Sequence, residues 1–238
     1  MAICIYCLNT IERPTRDHVF AKGWYPDNSS SDYQRWTVPA CAACNNRFSK
    51  IEQDVLSHLI LCVDPKHLQT KGPYEKTLRA MNPGAAQSAD DATCRQRMRD
   101  RILKDTFDLE EFSKIGVLPS FSANWDRGSR TGVLVSAKAL EQLARKWIRG
   151  LHYLTLERTI ESDDVIQVFH PPQHEAQSVL ADYLPRMVPL SQGQTIQVKQ
   201  ATASDETGAL TFYAIEVWCQ FKVYGAVDET LTTSKQSK

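Results

Sequence analysis

The chain is poor in the features that mark several protein classes. No apolar run approaches the roughly 18 to 20 residues that a membrane-spanning helix requires. The most apolar piece, around Phe212 to Val227, is interrupted by Glu216, Gln220 and Lys222. Charge of one sign is also missing: Lys plus Arg and Asp plus Glu each number 28. No overall field therefore draws the chain to nucleic acid, and any polyanion site is local. Gly and Pro are few, 10 and 11 of 238 residues, which excludes fibrous repeats and low-complexity chain. The start, Met-Ala-Ile-Cys-Ile-Tyr-Cys, has neither the basic residues nor the long apolar core of a secretory signal. The expectation is a cytoplasmic globular protein without a membrane association. Its 42% of hydrophobic residues suffice for one domain or two modest ones.

Seven cysteines, an odd number in a chain without an export signal, argue against a disulfide framework. Four of them form two C-x-x-C pairs, Cys4 with Cys7 and Cys41 with Cys44, while Cys62, Cys94 and Cys219 stand alone downstream. Each pair can turn both thiolates toward one point, and two such knuckles supply the four soft ligands of a closed tetrahedral zinc site. The pairs are farther apart than the roughly 15 to 20 residues of a zinc ribbon, so a segment is inserted between them. A thioredoxin-like redox pair and plain buried cysteines are the duller readings. The redox one requires a C-x-x-C entering a helix after a strand, and no strand precedes Cys4. A four-thiolate zinc with no open coordination position holds structure and performs no chemistry.

The insert contains Thr15-Arg16-Asp17-His18-Val19-Phe20, and Asn45-Asn46 follow the fourth cysteine directly. Phosphodiester hydrolysis needs a base to activate water and a divalent cation to neutralise developing charge. Imidazole suits the first task, being largely neutral at pH 7. Oxygen ligands suit the second, since Mg2+ keeps several waters and takes only one or two protein oxygens, here those of Asp17 and Asn45. Neighbours on a strand point to opposite faces, so Asp17 and His18 meet at one site only if the chain bends there.

On Cys4-x-x-Cys7, Asp17-His18 and Cys41-x-x-Cys44-Asn45, the segment from Cys4 to about Leu61 resembles the HNH endonucleases, the ββα-metal class in its four-cysteine zinc-bearing branch. The resemblance implies structural Zn2+ on the four cysteines, a catalytic Mg2+ or Mn2+ on Asp17 and Asn45, and His18 as general base. Asn46-Arg47-Phe48-Ser49-Lys50 lacks the last His of the family's name, which leaves open whether Asn46 or Lys50 assists. Arg16 and Arg47 are candidate phosphate contacts, and equally surface charges. The implied substrate is DNA, with RNA open because the chemistry acts on the phosphate. A role in antiphage defence or mobile-element biology would fit such a nuclease. The competing class is a non-catalytic, zinc-stabilised module that binds nucleic acid or protein, with Asp17 capping a turn.

Around these motifs, residues 15–21 and 34–39 read as two short strands separated by the polar run 27–32. Phe48, Ile51, Val55, Leu56 and Leu59 keep a helical period over 46–62, which Pro65 ends. Trp24, Tyr25 and Trp36 read as core more readily than as base-stacking platforms. Residues 64–131 read as a connector with one helix, whose Arg95, Arg97, Arg99 and Arg101 form either a phosphate-tracking stripe or a salt-bridged face. Gly132–Val135 reads as a short buried strand. Leu140, Leu143, Trp147, Ile148, Leu151 and Leu154 mark a helix over 137–158 with Arg145, Lys146 and Arg149 flanking its stripe. The decapeptide 144–153 resembles a helix that follows HNH modules in bacterial and phage proteins. Strands are expected at 165–169, 195–198 and 210–224, the last split around a bulge. His152, His170 and His174 read as lone loop histidines, and Cys62, Cys94 and Cys219 as buried or idle thiols.

The expected architecture is therefore α+β: a zinc-stapled ββα nuclease module at 1–63, the connector at 64–131, an α+β accessory or recognition region at 132–230 and a disordered tail at 231–238. With no net charge the chain alone should hold DNA weakly, so a partner subunit or a homo-oligomer is expected to supply the remainder.

Overall fold

The structure is a computed structural model that describes residues 1–26, 36–108, 131–161, 166–169, 181, 183–190, 195–206 and 208–229. The expected loop at 27–32, His170, His174 and the tail at 231–238 lie outside the described residues.

The chain opens with a small ribbon, β1 (Ala2–Ile3) antiparallel to β2 (Thr10–Ile11), whose turn carries the first C-x-x-C, so a short strand does precede Cys4, contrary to expectation. A second antiparallel pair follows, β3 (Thr15–His18) with β4 (Thr37–Ala40), in a register that places Asp17 opposite Val38 and His18 opposite Thr37. Helix α1 (Ala42–Leu59) comes next and begins four residues before the apolar period does. The second knuckle is the reason. Cys41 occupies the N-cap, and its Sγ accepts the backbone N–H of Cys44 at 3.4 Å, so the C-x-x-C is itself the first helical turn. Phe48, Val55 and Leu59 form the buried face of α1, and a 3₁₀ turn (Ile60–Cys62) ends it.

The connector contains two helices among its described residues, not one: α2 (Lys71–Ala80) and α3 (Ala89–Lys104). Pro73 stands in the first turn of α2, where a missing N–H costs no helical hydrogen bond. Ser88 caps α3 by accepting from the Asp91 N–H at 3.1 Å. The short strand read at 132–135 is β6 (Thr131–Val133), paired only with β5 (Thr106–Asp108). It is half-buried instead of buried, and Leu134 beyond it is exposed, because a two-stranded ribbon leaves one side to water.

Helix α4 (Ala137–Leu156) runs through the middle of the molecule. One side meets α1 and β4. The other meets a five-stranded antiparallel sheet of order β7-β11-β10-β9-β8, comprising β7 (Ile166–Phe169), β8 (Val188–Pro189), β9 (Ile196–Asp205), β10 (Gly208–Val217) and β11 (Phe221–Asp228). Two glycines allow this close fit. A Cβ on Gly150 of α4 would meet Val19 Cγ2 at 2.6 Å, and one on Gly225 of β11 would overlap Ile148 Cδ1.

The expected bulge within 210–224 is a tight turn that separates β10 from β11. Trp218 and Cys219 adopt left-handed backbone, with φ of 55° and 58°. Such φ at a bulky residue is strained, and tertiary contacts offset the strain. The Trp218 indole is fully buried, stacks on Trp24 with centroids 5.1 Å apart, and donates Nε1–H to the Trp24 carbonyl at 2.8 Å. Trp24 in turn meets Trp147 edge-on at 5.2 Å. Trp24 and Tyr25 are thus core, with Trp36 packed against it. The larger of two hydrophobic clusters among the described residues includes Val19, Phe20 and Val38 from the N-terminal part, Trp147 and Ile148 from α4, and Val217 and Trp218 from the sheet. No helix among the described residues is long and apolar enough to cross a membrane.

Candidate metal centre and the buried ion cluster beside it

The first knuckle is shaped by its own backbone. Leu8 turns at φ 62° and donates to the Cys4 carbonyl at 2.8 Å, while Cys4 N–H reaches the Asn9 carbonyl at 3.0 Å. Ile5 N–H bonds the Pro39 carbonyl at 3.2 Å, which ties this knuckle to β4, the strand leading into the second. The four Sγ atoms of Cys4, Cys7, Cys41 and Cys44 consequently lie within 4.8 Å of one another. The Cys7–Cys41 separation is 3.8 Å. A tetrahedron with metal–sulfur bonds of about 2.3 Å has edges of about 3.8 Å, so the four sulfurs fit one structural metal such as zinc. This is the one such cluster of ligating side chains among the described residues. Burial pushes the Cys4 thiol up, but the backbone N–H groups of Cys41, Cys7 and Tyr6 favour its thiolate and hold it at about 7. Cys4 and Cys44 are buried and Cys7 is exposed, so the cage lies at the surface with its inner half in the core.

Strand β3 leaves the cage carrying Asp17 and His18. Its alternation puts Thr15 and Asp17 on one face, Arg16 and His18 on the other. Asn45, in the first turn of α1, donates its Nδ2–H to Thr15 Oγ1 at 3.1 Å, and Thr15 donates to the Ala40 carbonyl at 2.8 Å. The structure thus brings Asn45 onto the Thr15 and Asp17 face of β3, while the β3–β4 register, regular through His18, carries the His18 side chain on the other face. With its nitrogen turned to Thr15, the Asn45 amide keeps its oxygen as the atom for a cation.

Asp17 itself is buried, 5% exposed, in company that no motif announced. Lys146 of α4, at 0% exposure, places its Nζ 3.1 Å from Asp17 Oδ2 and 2.6 Å from Glu52 Oε1 of α1, and donates to the His18 carbonyl at 2.7 Å. The ammonium thus donates hydrogen bonds to Glu52 and to the His18 carbonyl and forms an ion pair with Asp17, whose Oδ2 accepts no hydrogen bond. Burial pushes the Glu52 carboxyl up to about 7; the Asp17 charge adds to this and Lys146 opposes it. Burial, with Asp17 and Glu52 behind it, also pushes the Tyr6 phenol far above its ordinary value. For a catalytic cation, one Asp17 oxygen is already shared with an ammonium. A cation there would have to be one that takes only one or two protein oxygens.

The remaining candidates are placed simply. His18 and Asn45 are half-buried, whereas Arg16, Asn46, Arg47 and Lys50 are exposed. The Arg47 guanidinium lies 4.6 Å over the Phe48 ring. In the arginine-rich α3, Arg95 is held by Asp91 at 2.9 Å and by the Arg79 carbonyl at 2.6 Å, and Arg101 pairs with Asp54 of α1 at 3.2 Å. Arg97 and Arg99 are exposed. His152 is not a loop histidine. It is fully buried on α4, where Nδ1 meets the Tyr213 hydroxyl at 3.2 Å and Nε2 meets Glu229 Oε1 at 3.0 Å. Cys62 is half-buried, with burial pushing its thiol up to about 11, whereas Cys94 and Cys219 are exposed.

In the sequence Lys146 reads only as a charge flanking the apolar stripe of its helix, and Glu52 carries no motif that singles it out. One signal was present: Glu52 lies four residues after Phe48 and three before Val55, at core spacing. Comparison with known proteins gives no match to a family model, a curated protein or a solved structure.

Proposed function

We propose that the chain is a metal-dependent endonuclease of HNH type that hydrolyses phosphodiester bonds of DNA, with Zn2+ held by Cys4, Cys7, Cys41 and Cys44 as a structural ion. The observation that carries this reading is the Asn45–Thr15 hydrogen bond of 3.1 Å, which sets the first turn of α1 against the Asp17–His18 strand. The cage supports the reading by fixing both partners: its second knuckle is the helix start, and its first is bonded to β4.

In this reading His18 takes the proton from the attacking water as that water adds to phosphorus, and the leaving oxygen departs on the far side. Asn45, through its amide oxygen, and Asp17 would hold a hydrated Mg2+ or Mn2+. That ion supplies charge neutralisation to the phosphate and the leaving oxygen. Arg16 and Arg47, both exposed, are the candidates for phosphate contacts in this reading. Because the chain carries 28 residues of each sign, a partner subunit or a second copy adds to the DNA contacts.

The test is cleavage of supercoiled plasmid by zinc-loaded protein with and without Mg2+, wild type beside His18→Ala. Metal-dependent nicking that vanishes in the variant, with zinc content and folding retained, is the expected result. The burial of Asp17 against Lys146 favours a second reading, a non-catalytic zinc-stabilised adaptor. Failure of the folded, zinc-loaded wild type to cut plasmid, branched DNA or RNA selects it. Cleavage of RNA alone selects a ribonuclease with the same site.

A further inference from the structure

Lys146 is the most completely buried charge in the described chain, and it does not lie in the ββα unit. It comes from α4, more than a hundred residues after Asp17, and ends between two carboxylates and a main-chain carbonyl. A buried ammonium is costly unless paired, and here it hydrogen-bonds Glu52 at 2.6 Å and the His18 carbonyl at 2.7 Å and ion-pairs with Asp17 at 3.1 Å. A structural clamp would need only one carboxylate, and Glu52 makes the shorter contact. The other two partners are the side chain of one candidate site residue and the backbone of the next.

We propose that Lys146 is a positioning residue of the candidate site: it fixes the Asp17–His18 end of β3 and, by sharing the Asp17 carboxylate, weakens that group as a ligand for a divalent cation. This rests on the reading of Asp17 as a cation ligand given above. Two consequences follow from the geometry. The site is complete only when α4 is docked on α1 and β4, so the N-terminal segment does not carry it alone. Asp17, half-neutralised by an ammonium, holds a free cation loosely, and firm binding requires the additional oxygens of a phosphate.

The test uses full-length, zinc-loaded protein and Mn2+ as the probe, its binding followed by electron paramagnetic resonance without nucleic acid. The variants are Lys146→Met/Glu52→Leu and Glu52→Gln. The double variant removes one charge of each sign and replaces a buried pair with apolar side chains, a change that folds tolerate. Lysine and glutamate are not equivalent toward an ion on Asp17. The ammonium contacts Asp17 at 3.1 Å, whereas Glu52 contacts the lysine, so removal of the pair is expected to raise Mn2+ affinity severalfold.

That gain is expected to disappear when Asp17→Asn is added, and kcat of plasmid cleavage is expected to fall in the double variant while KM stays. Glu52→Gln, nearly isosteric, keeps an oxygen for Lys146 but removes the charge that competes with Asp17 for it, and is expected to weaken Mn2+ binding severalfold. It keeps the proposal open to refutation if the double variant does not fold. Unchanged Mn2+ affinity in folded variants, or a gain that survives Asp17→Asn, overturns the proposal and leaves the nuclease reading intact if the wild type still cuts. The expected Mn2+ shifts without cleavage of any nucleic acid overturn the nuclease reading and leave Lys146 as the residue that sets the cation affinity of Asp17.

Discussion

Glu52→Gln isolates the electrostatics of the buried cluster through stability alone. The Glu52 carboxyl, ordinarily at 4.5, is pushed to about 7 in the fold, chiefly by burial. An acid whose folded value is raised binds more protons folded than unfolded between those two values. Its contribution to stability is therefore fully present below about pH 4.5 and is lost as pH rises toward 7. A shift of about 2.5 units at 1.36 kcal/mol each amounts to on the order of 3 kcal/mol. Glutamine keeps the side-chain shape and an oxygen for Lys146, yet does not titrate. Urea unfolding of zinc-loaded wild type and variant at intervals from pH 5 to 8 should give curves that diverge, with the variant gaining relative to wild type by about 2 to 3 kcal/mol across that range. Taking the difference removes the titration of every other group. Parallel curves would refute the argument and mean that Lys146 keeps Glu52 charged throughout.

Further outcomes are expected from the same coordinates. Cys44→Ser should lower metal content below one ion per chain by mass spectrometry and unfold the β3–β4–α1 unit, which a chelator should reproduce in the wild type as loss of far-ultraviolet circular dichroism. Lys146→Met alone leaves Asp17 and Glu52 facing each other in the core and should cost about 3 to 5 kcal/mol in denaturant unfolding, more than the double change with Glu52→Leu. Trp218→Ala removes both the stack on Trp24 and the bond to its carbonyl, and should cost about 3 to 5 kcal/mol with loss of the near-ultraviolet tryptophan signal. Gly150→Ala, with its Cβ 2.6 Å from Val19, should cost about 1 to 3 kcal/mol and lower the thermal midpoint.

Short-range chemistry was legible in residue order. C-x-x-C pairs act over four residues, so the two knuckles could be read directly, and the structure brings their sulfurs within 4.8 Å. Periodicity located α1, α4 and the sheet strands because burial of one face imposes a repeat on the residues that form it. Errors arose where a local rule met a tertiary one. Trp218 and Cys219, with no glycine or asparagine to mark a turn, adopt left-handed backbone because a buried indole stack holds them there. His152 carried no sign that Tyr213 and Glu229 would close around it.

The same division runs through the candidate site. Its ligand types, the metal cage and the pairing of a carboxylate with an imidazole follow from residue order, since each depends on neighbours a few positions apart. The environment of Asp17 does not. It depends on a lysine from a helix far along the chain meeting a glutamate from another, and the free energy of a buried charge is set by what surrounds it in space. Charged residues carry no periodic signature of the partner they will find, so whether Asp17 faces water or an ammonium is decided only by how α4 packs against α1 and β4.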